Sequence, residues 1–305
     1  MIHDYVCKLI QNLPDDMKNR KTPLVIDLVL DGGIFNGSYL IGALYFLKEM
    51  EKKKYIKIDR ISGCSIGSVA AFLYYIDGLD IMPQLYDIVN NDFRQTYKLH
   101  VVKDLKKHLM NHIPNDICSK VKRKLFICYN DVPNGIKRVK SKYKNIDELL
   151  NTIIRSCYIP FLIDGNSLYE NKYVDGINPY IFKQEPNKKI LYLDLFGYDK
   201  LGTLLNVKNE KTNYHRILSG LLDIHSFFIK KTNTSMCSYV NDWNIYDKGC
   251  FNVKTIFENI SIYIICVFLF IQKKFPEEWK HNVFYKIITK SLYETFVILL
   301  ENYCL

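Results

Sequence analysis

The pattern of apolar and polar positions predicts alternating strands and helices over the first two thirds of the 305-residue chain. Strands are predicted where short apolar or alternating runs occur, at 24–30, 56–61, 124–130, 136–140, 168–174 and 189–196. Helices are predicted where apolar residues recur with helical spacing, at 38–53, 66–76, 80–90, 147–157 and 213–231. This alternation predicts an α/β fold with a central, mostly parallel sheet flanked by helices.

After about residue 200 the pattern becomes mainly helical, and the run at 260–271 is strongly apolar. Twelve helical residues cover only about 18 Å, whereas the hydrocarbon core of a bilayer is about 30 Å thick. We therefore predict a helix that is buried in the core and does not span a membrane. An interfacial anchor, a lid over the site and a truncated span are the alternatives.

The first candidate for chemistry is Ser65, in the sequence Gly-Cys-Ser-Ile-Gly at 63–67. A predicted strand precedes this G-x-S-x-G pattern and a predicted helix follows it, which is the context that exposes a nucleophilic hydroxyl. Gly63 and Gly67 let the strand and the helix approach closely at a sharp turn. The N-terminus of the helix stabilises negative charge near the serine. The context favours a nucleophile over an ordinary glycine-bounded turn.

The second candidate is the loop after the first strand, Asp-Gly-Gly-Ile-Phe-Asn-Gly at 31–37. Backbone N–H groups between a strand and a helix suit an anion, either a phosphate or the oxyanion of an acyl-transfer intermediate. A dinucleotide fingerprint is excluded because G-x-G-x-x-G is absent, and a Walker loop because no Gly-Lys-Ser/Thr follows. A helix-packing turn is the alternative.

The third candidate is Asp175, which precedes Gly176 at the end of a short predicted strand. A carboxylate at this position can project into a site. Taken alone, however, an Asp-Gly pair is usually part of a turn. The pair therefore indicates a function only together with the other two candidates.

The order and spacing of these three motifs resemble those of the patatin-like phospholipases. Residues 37–44 are similar to the family's helix after the oxyanion loop, and residues 154–161 to its Ala-Ser-x-x-x-Pro-x-x-Phe segment. The resemblance covers residues 23–196 and implies a three-layer patatin-like fold.

The resemblance also divides the chain into three regions. It implies an N-terminal extension at 1–22, a catalytic domain at 23–200, and a mainly helical C-terminal region at 201–305 that packs on this domain.

The function implied by the resemblance is that of a lipid acyl hydrolase of the phospholipase A or lysophospholipase type. Ser65 would attack the ester carbonyl, Asp175 would accept its proton directly, and water would release the acyl group from the acyl-enzyme. Gly176 would support the aspartate. The implied substrate is a phospholipid or another acyl lipid, and a Ser-Asp dyad needs no cofactor and no metal.

The glycine-rich loop departs from the family's usual Gly-Gly-Gly-x-Arg/Lys-Gly. When the chain is aligned on Gly37, which would support the loop, it keeps Gly32 and Gly33, the implied oxyanion hole. Ile34 stands at the third glycine and Asn36 at the basic residue. These changes motivate a second hypothesis, a non-catalytic or weakly active lipid-surface or regulatory protein that retains the fold.

A Ser-His-Asp triad is the alternative catalytic arrangement. It would require His215, His225 or His281 to follow the acid in the chain. None of the three lies in a glycine-rich or loop-like context, and the first two fall within a predicted helix. The sequence therefore favours the Ser-Asp dyad.

The net charge of +10 predicts an acidic partner. No nucleic-acid-binding module is recognisable, so we expect an anionic membrane surface and no nucleic acid, with a solvated basic surface as the alternative. The basic residues are densest at 98–144. Nine scattered cysteines and no predicted signal peptide lead us to expect a cytoplasmic protein, peripherally associated with membranes. The sequence gives no oligomeric state.

Overall fold

A computed structural model of the protein describes residues 2–208, 210–274 and 282–304. The strands in these residues are β1 (Leu24–Leu30), β2 (Ile56–Cys64), β3 (Leu125–Asp131), β4 (Ile136–Lys140), β5 (Tyr173–Asp175), β6 (Lys188–Leu193) and β7 (Cys237–Tyr239). The α-helices are α1 (Ile2–Gln11), α2 (Asp15–Lys18), α3 (Gly37–Lys52), α4 (Ile66–Tyr75), α5 (Met82–Thr96), α6 (Val101–Leu109), α7 (Ile117–Lys120), α8 (Ile146–Ser156), α9 (Tyr198–Leu201), α10 (Tyr214–Lys230), α11 (Ile245–Lys274) and α12 (Val283–Tyr303).

One mixed sheet forms the centre of the molecule, with the order β4-β3-β2-β1-β6-β7 and with β5 paired to β3. The strands β3, β2, β1 and β6 are mutually parallel. The strands β4, β5 and β7 pair antiparallel with their neighbours. The prediction of a mostly parallel sheet therefore holds only for these four central strands. The tight turn between β3 and β4 enforces one antiparallel pair, because a short turn can join only antiparallel neighbours.

Helices flank this sheet, and the closest helix contact joins α3 to α10. A Cβ atom at Gly42 would lie 1.8 Å from the carbonyl oxygen of Ile217, and one at Gly220 would lie 1.9 Å from that of Tyr39. Glycine at both crossing points lets the two backbones touch. This packing fixes the position of α3, whose N-terminus begins directly after the glycine-rich loop.

The carboxyl ends of the central strands bring the candidate segments to one edge of the sheet. Leu30, the last residue of β1, pairs with Gly63 near the end of β2. The glycine-rich loop and the Ser65 turn therefore leave the sheet side by side. Asp175, the last residue of β5, pairs with Tyr129 on β3. All three predicted segments thus meet at this edge, which is called the catalytic edge after the chemistry that the sequence predicts for it.

The structure corrects the prediction for residues 260–271. They form the second half of α11, and most of their apolar side chains are exposed, with Tyr263 at 69% and Ile264 at 60%. The prediction of a buried core helix is therefore wrong. Residues Ile245–Ile271 are also long and apolar enough to cross a membrane by length and composition, with 6% of the most apolar window buried.

Candidate active site

Ser65 lies at a strained turn between β2 and α4. Its backbone angles are φ 49° and ψ −132°, a conformation that residues other than glycine rarely adopt. The flanking glycines leave no room for a side chain, since a Cβ atom at Gly67 would lie 2.4 Å from the carbonyl oxygen of Asp31. The Ser65 N–H donates to Ser156 Oγ at 2.9 Å. The turn therefore holds Ser65 at the N-terminus of α4, as the sequence predicted.

The glycine-rich loop lies directly against this serine. A Cβ atom at Gly32 would be 3.1 Å from the Cβ atom of Ser65. The Gly32 N–H donates to Asp31 Oδ1 at 3.0 Å and is therefore already occupied. Within the described residues, the N–H groups of Gly33 and Ile34 have no hydrogen-bond acceptor. Of the two predicted oxyanion donors, the amide of Gly33 is the one that is available.

Ile34, which the sequence comparison aligns with the family's third glycine, has a backbone conformation that favours glycine. Its φ is 44°, in the left-handed region where a β-branched residue is strongly disfavoured. Gly33 before it has a φ of 154°, and a Cβ atom there would lie 2.9 Å from the Cβ atom of Leu195. An isoleucine at this position therefore adds strain to the loop.

We expect Ile34→Gly to be more stable than Ile34→Ala. Both variants remove the side chain beyond Cβ, but alanine keeps the strain of a positive φ, so the difference in unfolding free energy should be about 1 kcal/mol. Thermal melting or urea unfolding of the two variants measures this difference.

The matched control for the Ile34 variants is Ala43→Gly, in the interior of α3. At an ordinary helical position, glycine lowers the unfolding free energy by about 1 kcal/mol relative to alanine. In this control the glycine variant should therefore be the less stable protein, the opposite of the order expected at position 34. An Ile34→Ala protein that is at least as stable as Ile34→Gly would contradict the strained loop.

A buried arginine occupies the environment of Asn36, where the family has a basic residue in the loop itself. Arg216, on α10, is fully buried, and its Nη1 donates to Asn36 Oδ1 at 2.7 Å. The carboxylate of Glu210 accepts from Arg216 Nη2 at 2.7 Å and balances its charge. The Asn36 amide group also donates to the carbonyl oxygen of Lys200 at 2.9 Å. A cationic side chain of α10 thus supports the glycine-rich loop through its hydrogen bond to Asn36.

Sequence reasoning missed Arg216, because it lies 180 residues from Asn36 in the chain. The sequence shows only an arginine with apolar neighbours in a predicted helix. An arginine on the surface of the protein would show the same pattern. The link between the two residues becomes visible only when α10 packs on α3.

Asp175 faces Ser65 from the other side of the catalytic edge. Burial raises the pKa of Asp175 well above its ordinary value, and the interaction with the Ser65 side chain opposes this shift. One of its carboxyl oxygens, Oδ1, is buried without a hydrogen-bond partner among the described residues. A Cβ atom at Gly176 would lie 2.7 Å from the carbonyl oxygen of Cys128, so the Asp-Gly pair lies tightly against β3.

Two charged residues of α11 support the candidate site, and sequence reasoning missed both. Lys254 forms an ion pair with Asp31, directly before the glycine-rich loop. Burial raises the pKa of Asp31 to about 7, although Lys254 acts in the opposite direction. Glu258 is 2% exposed, and its Oε1 accepts from the Ile177 N–H at 3.1 Å. The signal for both was a lysine and a glutamate four residues apart in an apolar stretch.

An apolar cleft opens at Ser65. Its walls come from the glycine-rich loop, α4, α5, α6 and the segment after α8. The lining residues include Ile34, Ser65, Val69, Leu85, Leu105 and Ile159. A cleft with this apolar lining fits an acyl chain better than a polar substrate.

Neither of the two described histidines that a triad could use is found at Ser65. His215 lies 3.3 Å from a carboxylate oxygen of Glu210 and is mostly exposed. His225 packs edge-on against Phe46, and burial lowers its pKa. His281 lies outside the described residues.

Many basic side chains of the 98–144 stretch form ion pairs instead of an open cationic surface. The pairs are Lys103–Asp164, Lys106–Asp147, Lys107–Asp104, Lys137–Glu258, Arg138–Asp131 and Lys140–Glu148. Paired charges attract an anionic surface less than free ones, so these six side chains contribute less free positive charge than the sequence alone indicates.

One group of possible metal ligands occurs among the described residues. Donor atoms of His3, Cys7 and Glu49 lie within 4.8 Å of one another. Glu49 is twelve residues, or about 18 Å, along α3 from Gly37 at the loop. This group therefore lies away from the candidate active site.

Comparison with known families identifies the domain that carries this site. The model of the patatin-like phospholipase family matches residues 28–177, which include Ser65, Asp175 and the glycine-rich loop. This part of the chain therefore belongs to the patatin-like phospholipase family, as the motifs predicted. A domain of this family indicates lipid acyl hydrolase activity. No curated protein matches the chain at a significant level.

Proposed function

We propose that the protein cleaves ester bonds of membrane lipids with a Ser65–Asp175 dyad. The main support is the arrangement at the catalytic edge, where a strained serine faces a buried carboxyl with one unpaired oxygen. Asp175 takes the proton of Ser65 as the hydroxyl attacks the ester carbonyl. The Gly33 amide stabilises the oxyanion, which collapses to the acyl-enzyme as Asp175 passes the proton to the leaving alcohol. Water then attacks the acyl-enzyme and gives a proton to Asp175, which returns it to Ser65 as the fatty acid leaves.

The substrate in this proposal is a phospholipid or lysophospholipid. The apolar cleft at Ser65 would hold one acyl chain, since its lining is almost entirely hydrocarbon. The head group would remain at the polar edge of the sheet. The non-catalytic alternative draws support from the occupied Gly32 amide, which leaves one free donor fewer for an oxyanion.

Incubation with phospholipid vesicles tests this function. The purified protein should release free fatty acid and lysophospholipid, detected by mass spectrometry, whereas Ser65→Ala should release neither. Vesicle binding without any product would favour the non-catalytic alternative.

We expect the acid limb of the kcat/KM profile to lie above pH 3.8, the ordinary pKa of an aspartate. Asp175 must be ionised to accept a proton, and burial raises its pKa, so activity should fall as the pH decreases through this raised value. A soluble p-nitrophenyl ester gives the profile, with circular dichroism to confirm folding at each pH. An acid limb at or below pH 3.8 would contradict Asp175 as the base.

A further inference from the structure

The two faces of α11 have the opposite character from those of an ordinary surface helix. A surface helix normally turns its apolar stripe to the core and its charges to water. In α11, Lys254 and Glu258 are 13% and 3% exposed as side chains and face the protein. Phe257 and Ile264 are 61% and 60% exposed. The face of α11 that contacts the protein thus carries the charges, and the opposite face is apolar. Such an arrangement suits a helix whose exposed face meets a non-aqueous environment.

The charged face of α11 holds both loops of the catalytic edge. Lys254 pairs with Asp31, whose Oδ1 in turn accepts from the Gly32 N–H of the glycine-rich loop. Glu258 accepts from the Ile177 N–H and, through Oε2, from the Asn178 side chain at 2.9 Å. Ile177 and Asn178 follow Asp175 in the chain by two and three positions. One turn of α11 therefore connects the oxyanion loop with the loop of the candidate base.

Aromatic contacts at two places along α11 hold the helix against the surface of the protein. Phe251 packs against Trp243 with ring centroids 5.6 Å apart, and Phe268 packs edge-on against Phe161 at 5.4 Å. The helix thus contacts the domain near its beginning and again 17 residues later. A helix that crosses a bilayer would have to give up these contacts and those of Glu258.

We propose that α11 lies in the membrane interface with its apolar face in the lipid, and that Lys254 and Glu258 are positioning residues that couple this docking to the two catalytic loops. The coupling rests on the function proposed above, whereas the docking does not. Membrane-bound α11 is held in place, so the ion pair and the hydrogen bonds that it provides to the loops are held in place too.

A lipid surface is the occupant that these observations favour. The exposed apolar side chains continue along almost the whole of Ile245–Ile271, a longer stretch than a compact protein interface would need. Lys274 Nζ lies 4.5 Å from the ring centre of Phe270, as in side chains that extend from an apolar surface to lipid head groups. α12 also exposes apolar side chains, with Phe284 at 77%.

The docking is tested with the double variant Phe257→Ser/Ile264→Ser and the control Leu218→Ser, which alters an exposed apolar residue of α10. Co-sedimentation is measured with phosphatidylcholine vesicles, with and without phosphatidylglycerol, at low and high salt. Insertion of apolar side chains is not screened by salt, so the wild-type protein should bind neutral vesicles at high salt. The double variant should bind at least tenfold more weakly, and Leu218→Ser should bind like the wild type.

Equal vesicle binding by the double variant and the wild type would overturn the docking. Loss of binding in Leu218→Ser as well would also overturn it, because the effect would not be specific to α11. Protection of α11 from protease added on both sides of the vesicle, together with resistance to carbonate extraction, would replace the interfacial position by a transmembrane one. A third outcome is that the wild-type protein does not bind vesicles but self-associates in solution as its concentration rises. If Phe257→Ser/Ile264→Ser abolishes this self-association, the apolar face would be assigned to contact with a second copy of the chain.

The coupling is tested with Glu258→Gln and the control Glu294→Gln, an exposed glutamate on α12. Gln at 258 keeps one acceptor oxygen in place of two, and its NH2 group meets side chains that already donate, so the hydrogen bond to the Ile177 amide should weaken. Its hydrogen exchange, followed by mass spectrometry of the peptide around 175–178, should speed up at least tenfold. The acid limb of the kcat/KM profile should also move to lower pH, because the Glu258 charge raises the pKa of Asp175.

The two readouts separate the coupling from the proposed function. Unchanged exchange and an unchanged pH profile in Glu258→Gln would overturn the coupling. Faster exchange in a protein without hydrolase activity would retain the positioning role of Glu258 and reject the catalytic function. Effects of the same size in Glu294→Gln would show that the change is not specific to the catalytic edge, and this result would also reject the coupling.

Discussion

Ser65→Ala is expected to abolish ester hydrolysis while the protein remains folded. The substitution removes the hydroxyl that would form the acyl-enzyme, and loss of such a nucleophile lowers kcat on the order of 10⁴-fold or more. Alanine keeps the Cβ atom and introduces no clash, so the melting temperature should change little. Turnover of a p-nitrophenyl ester, measured beside a thermal melt, gives both results.

Ser65→Gly is the matched control for this prediction. It also lacks the hydroxyl but relieves the strain of the positive φ at this position, so it should be equally inactive and about 1 kcal/mol more stable than Ser65→Ala. Undiminished turnover in a folded Ser65→Ala protein would mean that another residue is the nucleophile.

Asp175→Asn is expected to lower kcat by roughly 10²–10⁴-fold, since an amide cannot accept the serine proton. The shape of the side chain is retained, so substrate binding in the apolar cleft should persist and KM should change less than kcat. Substitution of His215 or His225 by alanine should leave most of the activity, because neither meets Ser65. A folded His225→Ala protein as inactive as Asp175→Asn would favour a triad.

The same substitution should stabilise the protein against unfolding at neutral pH. A carboxyl group with a raised pKa in the folded state stabilises the fold at low pH, where it is protonated, and loses this contribution as the pH rises through the raised value. Asparagine is neutral throughout, so the melting temperature of Asp175→Asn should exceed that of the wild type increasingly as the pH rises. A constant difference would contradict a buried, ionised base.

The local patterns of the sequence were sufficient to predict the strands and the turn that position Ser65. Apolar runs predicted β1 and β2 near their observed bounds, and glycines at 63 and 67 predicted the strained turn at Ser65. These features depend on neighbours in the chain, such as a buried strand followed by a turn that only glycine can form. The short edge strand β7 was missed, since three residues carry too little pattern.

Features that depend on distant residues could not be predicted in this way. Arg216 supports Asn36 only because α10 packs on α3, and no local pattern indicates this contact. In α11, Lys254 and Glu258 interrupt the apolar run. The apolar residues after them number only twelve, which is too few to span a membrane, so a core helix was predicted. The structure shows that both face the protein, so the apolar face continues past them on the outside.

The central claim, that Ser65 is activated by Asp175, is tested most directly by labelling with a fluorophosphonate and mapping the modified residue by peptide mass spectrometry. A fluorophosphonate reacts with an activated serine and not with an ordinary one. The account predicts a single adduct on Ser65 in the wild-type protein, none in Ser65→Ala, and labelling at least tenfold slower in Asp175→Asn. An adduct on a different residue, or equally fast labelling of Asp175→Asn, would contradict it.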